Sequence, residues 1–144
     1  SHPLVMVCSD GLVMPPADQL DDPGLYWPCS YGEYPGILER YVRDEPFLRL
    51  EEAIRKMTSF PAQRFGLSDR GVLRPGLAAD LLVFDLERLR DRATNPYPHS
   101  YPFVNIPHAH AEGMDYVLVN GTVVIDDGRH TGALPGRVLR HGRR

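Results

Sequence analysis

The chain has 144 residues, a formal net charge of −3 and 42% hydrophobic residues. That size allows one domain with a real core, and the charge totals imply no basic face for nucleic acid. No stretch nears the roughly 18 consecutive apolar residues of a membrane-spanning helix, and the start lacks the pattern of a secretory signal. Cys8 and Cys29 then read as free thiols in a reducing, cytoplasmic setting rather than as a disulfide.

In chain order, Leu4 to Val7 is continuously apolar, which predicts a short strand buried on both faces. Residues 11–33 follow, rich in Pro, Gly and Asp, with Asp21-Asp22-Pro23-Gly24 as a turn signal. A loop this long without periodicity is usually functional or disordered. Pro35 suits the first turn of a helix, in which Ile37, Leu38, Tyr41 and Val42 form one apolar stripe. A second helix is predicted from Leu50 to Thr58. Leu50, Ala53, Ile54 and Met57 form its apolar face, and Glu51, Glu52, Arg55 and Lys56 its polar one. Pro61 opens a shorter helix that stops at Gly66.

From Gly71 the period changes. Arg74-Pro75-Gly76 is a turn, and Leu81-Leu82-Val83-Phe84 is a strand bounded by Asp80 and Asp85. A Pro- and Tyr-rich loop fills residues 95–113. Tyr116 to Ile125 then reads as a hairpin turning at Asn120-Gly121, closed by Asp126-Asp127-Gly128. Arg137 to Arg144 is a basic, solvated end rather than a binding patch.

Ser9-Asp10-Gly11 ends the first apolar run. A carboxylate there either holds a turn or does chemistry. The stretches that decide are "VMVCSDG", "YGEYPGILERYVRD", "LEEAIRKMTSFPAQRFGLSDRGVLRPGLAADLLVFD" and "VLVNGTVVIDDGRHTGALPGRVLR". Together and in this order they resemble the C-terminal part of the N-acyl-D-amino-acid deacylases (D-aminoacylases) of the amidohydrolase superfamily. The pattern from Gly71 to Asp85 is shared more widely among amidohydrolases.

The resemblance implies a mixed α/β architecture. Residues 1–70 would be the end of a TIM-like (β/α)8 metal-dependent hydrolase barrel, with Leu4 to Val7 its last strand. Residues 71–144 would be the C-terminal share of a small β-sandwich. It implies zinc, with ligands in an upstream part of the enzyme, and a small N-acyl amino acid as substrate. Active sites of such barrels lie on the loops after the strands, which is where Asp10 falls. By the resemblance Asp10 is the catalytic carboxylate: it takes a proton from zinc-bound water and delivers it to the leaving nitrogen.

Ser9, Cys29 and Tyr31 are the substrate-binding candidates. D-aminoacylases usually carry His-Pro-Arg before "YG", where this chain has Trp27-Pro28-Cys29. A thiol cannot hold a carboxylate bidentately as a guanidinium does, which keeps a hydantoinase- or dihydroorotase-like cyclic amide as an alternative substrate. A non-catalytic stand-alone module is a further alternative. Tyr26, Tyr31 and Tyr34 either line a pocket or pack the loop down. Cys8 reads as a small buried residue rather than a metal ligand. His108 and His110 follow a Pro-rich loop and read as a solvated pair, and His99, His130 and His141 as surface residues. Taken alone, the 144-residue chain is expected to lack deacylase activity, and its uncovered strand and helix faces would favour self-association.

Overall fold

The computed structural model describes residues 2–11, 29–93 and 110–140. Among the described residues, three helices and a four-stranded antiparallel sheet meet around one small core. Helix α1 spans Cys29–Leu38 and widens into a π-helical stretch, Glu39–Asp44. Helices α2, Leu50–Met57, and α3, Ser59–Arg64, follow. The strands are β1, Leu81–Phe84, β2, Met114–Val119, β3, Thr122–Asp126, and β4, Arg129–His130, in that order across the sheet.

Helix α2 follows its apolar period closely: Leu50, Ala53, Ile54 and Met57 all face the core, and Ala53 is fully buried. Glu51 and Glu52 in its first turn and Arg55 and Lys56 in its last suit the helix dipole. Lys56 departs from the expected polar face. It is buried, because its ammonium reaches back to carbonyls at the start of the chain. Ala53 packs with Leu38 of α1 and Leu89 beyond β1, and Val42, Phe84, Leu86 and Met114 close around them.

Helix α1 begins six residues before Pro35, at Cys29, so Pro35 lies inside the helix. Gly32 and Gly36 share one face at i,i+4 spacing, and the buried Asp91 side chain rests against both. Helix α3 likewise begins at Ser59, before Pro61, and ends where Gly66 takes a φ of +69°.

The sheet forms as the pattern predicts. Leu81 pairs with Leu118 and Val83 with Tyr116 across β1 and β2, and Val119 pairs with Thr122 across the hairpin. Asn120 and Gly121 both have positive φ, +49° and +81°, as a two-residue hairpin turn with the twist of the flanking strands requires. Asp127-Gly128 repeats the device, at +47° and +74°. Instead of closing the hairpin it turns the chain into β4.

Leu4 to Val7 is not a strand, and Leu4 and Val5 are exposed rather than buried. A parallel strand needs neighbours to complete its hydrogen bonds, and none of the described strands lies beside this one. Helix α2 holds the segment instead: the Val7 N–H donates to the Lys56 carbonyl at 3.3 Å. Residues 12–28 and 94–109, which hold most of the two expected loops, lie outside the described residues.

Candidate functional site

Asp10 sits in a tight turn. Its φ of +49° is left-handed, a conformation Asp tolerates better than most residues. The Gly11 N–H donates to Ser9 Oγ at 3.1 Å, which fixes the turn from within. The turn leans on the head of α1. A Cβ built on Gly11 would lie 2.9 Å from Ser30 Cα, so backbone meets backbone there. Asp10 itself is exposed, and its carboxylate is open to solvent.

In the first turn of α1 stand Cys29, which the Asp10 charge reaches, and Tyr31, both half-buried. The Cys29 thiol is pushed up from its ordinary value, by burial first and then by the carboxylates of Glu33 and Asp10. All three causes disfavour the thiolate, so Cys29 presents a neutral S–H to this site at neutral pH. The Tyr31 ring meets the His110 ring edge-on, 5.8 Å between centroids and 68° between planes. Three stretches far apart in sequence, 9–11, 29–33 and 110, therefore converge.

Of the residues singled out from sequence, Ser9, Asp10, Cys29 and Tyr31 belong to this group. Tyr34 is exposed, and Tyr26 and His108 lie outside the described residues. Cys8 is exposed rather than buried, and both cysteines are free. Sequence reasoning misses Glu33, Gly11 and the place of His110. Glu33 lies one turn beyond Cys29, a relation visible only once the helix is known to start there. His110 reaches Tyr31 by tertiary folding, for which no sequence period is a signal. Among the described residues, no three His, Cys, Asp or Glu side chains form a group able to hold a metal ion. They do not make a zinc site by themselves.

Against known proteins, residues 24–125 match the amidohydrolase family. The chain belongs to that family. It is 40% identical over 96% of its length to N-acyl-D-glutamate deacylase of Alcaligenes xylosoxydans xylosoxydans. To N-acyl-D-aspartate deacylase of the same organism it is 39% identical over 99%. It spans 25% of each of these relatives. Dihydroorotase of Lactobacillus johnsonii matches over a shorter stretch, 38% identical over 38% of this chain and 13% of that protein.

Among solved structures, N-acyl-D-glutamate deacylase from Bordetella bronchiseptica, complexed with zinc and a phosphonate mimic of the tetrahedral intermediate, superposes with a TM-score of 0.69. The match is at 37% identity and covers 90% of this chain and 24% of that one. A D-aminoacylase variant in complex with CuCl2 superposes with a TM-score of 0.67 at 40% identity, covering 78% of this chain and 22% of that one.

Proposed function

We propose that the chain is the C-terminal part of a metal-dependent deacylase that hydrolyses N-acyl-D-amino acids to a D-amino acid and a carboxylic acid. The span of similarity carries this reading. The deacylases match across 93–99% of the chain, whereas the dihydroorotases match only 35–38% of it. A cyclic amide substrate has less behind it.

In this reading residues 1–70 close a (β/α)8 barrel and residues 71–144 complete a small β-sandwich. Zinc belongs to ligands outside the described residues. What the described residues contribute is a carboxylate and the wall beside it. Asp10 takes a proton from the attacking water and returns it to the leaving nitrogen, because an amine anion is a poor leaving group. Ser9 accepts from the Gly11 N–H, which leaves its own O–H to donate to substrate. Cys29 and Tyr31 line the adjoining wall, a thiol and a phenol in place of a cation.

Other partners follow the same reading. The substrate is a small molecule, and neither nucleic acid nor membrane takes part. Two unbridged cysteines suit a reducing cytoplasm. Leu4 and Val5 at one end, and Leu82 and Val83 on β1, are exposed apolar side chains in this 144-residue chain. They favour its self-association, and a clean monomer by light scattering at high concentration would count against that.

The test uses the full-length protein. N-acetyl-D- and N-acetyl-L-amino acids and a hydantoin are offered, with chiral analysis of products. Release of D-amino acids is expected, with Asp10→Asn lowering kcat by about 10²–10⁴-fold. Hydantoin turnover without deacylation would overturn the substrate, and an Asp10→Asn enzyme of undiminished kcat would overturn the role of Asp10.

A further inference from the structure

In the segment that carries Asp10, the left-handed residue is Asp10 and not the glycine after it; the φ of Gly11 lies outside the left-handed range. Glycine at this position therefore answers to space rather than to conformation. A Cβ there would lie 2.9 Å from Ser30 Cα, 3.3 Å from Ser30 N and 3.1 Å from Ser9 Oγ. Carbon atoms in contact settle near 3.5–4.0 Å, so a methyl group at this point is too close by roughly 0.6–1 Å. The obstructing atoms are helix backbone, which cannot swing aside as the end of a flexible side chain does. The turn itself must back away from α1.

We infer that Gly11 is a positioning residue for Asp10: its bare Cα seats the segment against Ser30 and so fixes where the Asp10 carboxylate stands relative to the head of α1. The inference rests on the reading of Asp10 as the proton-transfer carboxylate. Ser9 supplies the second constraint: its Oγ accepts from the Gly11 N–H, which restrains the peptide between Asp10 and Gly11. A group about 1 Å out of place for its proton transfer costs on the order of 10²-fold in rate. Binding contacts made elsewhere along the substrate survive such a shift. The effect therefore falls on kcat and spares KM.

The experiment compares Gly11→Ala, Ser9→Ala, Asp10→Asn and Gly136→Ala in the full-length enzyme, with kcat, KM and thermal melting for each. Gly136 has open space around it and an ordinary φ, so Gly136→Ala should match the parent enzyme. Gly11→Ala should lose about 10- to 100-fold in kcat, with KM within about threefold and the melting temperature nearly unchanged. Ser9→Ala adds no bulk; it frees the Gly11 N–H and also removes the hydroxyl offered to substrate, so kcat should fall about three- to tenfold and KM should rise. Parent-level kcat in Gly11→Ala, while Asp10→Asn is inactive, overturns the positioning role. Should Gly11→Ala not fold, parent-level kcat in Ser9→Ala overturns it instead. An active Asp10→Asn enzyme overturns the underlying reading, and is told apart by that result alone.

Discussion

Lys56 Nζ, buried at the end of α2, donates at 2.7 Å to the carbonyl oxygen of Val5, and equally to that of His2. One ammonium thus ties a helix to the segment leading to Asp10. Arg55 adds a third bond to the same segment, at 3.0 Å to the Pro3 carbonyl. Lys56→Met keeps the apolar stem and removes the charge-assisted bonds. The expected loss is about 1–3 kcal/mol, read as a lower urea midpoint, with faster proteolysis around residues 2–7. An unchanged midpoint would mean that the segment is held by something else.

Arg43 binds the π-helical stretch to the loop beyond β1. Its guanidinium donates to the Leu86 and Leu89 carbonyls at 3.2 and 2.5 Å, and to Glu39 and Asp44. A planar fork serves four acceptors where an ammonium cannot. Arg43→Lys should cost about 1–3 kcal/mol despite the retained charge. Chemical denaturation of the variant against the parent decides it, and equal stability would discount the fork.

Gly32→Ala places a methyl 2.7 Å from Asp91 Cγ, and nearer still to its Oδ1. Asp91 must then turn away and surrender the Ala93 N–H, which it now accepts at 2.9 Å. The expected cost is about 2–3 kcal/mol. Asp91→Ala removes the obstruction, so the double variant should lose less than the sum of the two single losses. Strict additivity would show that the two residues do not contend for the same space.

Glu52 receives both Nε and Nη2 of Arg55, at 2.8 and 2.9 Å, and its pKa is lowered to about 2, chiefly by these hydrogen bonds. A carboxylate depressed on folding contributes stability that is fully present above its unfolded value, near 4.5, and is lost as pH falls through about 2. Urea midpoints of the parent and Glu52→Gln should therefore differ by a constant amount above pH 5, draw together as pH falls toward about 2 and coincide only below it. A gap that does not narrow between pH 5 and about pH 2 would assign the effect to packing. The pair is solvent-screened, so a modest gap is expected, shrinking in salt.

Local order is legible where the responsible residues are neighbours in sequence. The apolar face of α2 repeats every three to four residues, and Asn120-Gly121 carries the positive φ that its turn demands. Both forces act within one turn of chain, so both elements stand where the residues place them. The same holds for the acid-bounded strand from Leu81 to Phe84. What fails to show in the pattern depends on distant partners. Leu4 to Val7 has a strand's composition and no strand beside it among the described residues. By its charge Lys56 belongs on a solvated face, yet two backbone carbonyls some fifty positions away make burial tolerable. Asp91 packs on Gly32 of α1, a contact between residues that share no period.

The sequence by itself determined the family, the hairpin and the candidate Asp10, because these rest on residue types and short spacings. Only the tertiary structure decided that Gly11 meets the Ser30 backbone in α1 and that the carboxylates of Glu33 and Asp10 both bear on the Cys29 thiol. Such proximity is set by packing between segments, and burial and close approach are properties of the folded chain alone.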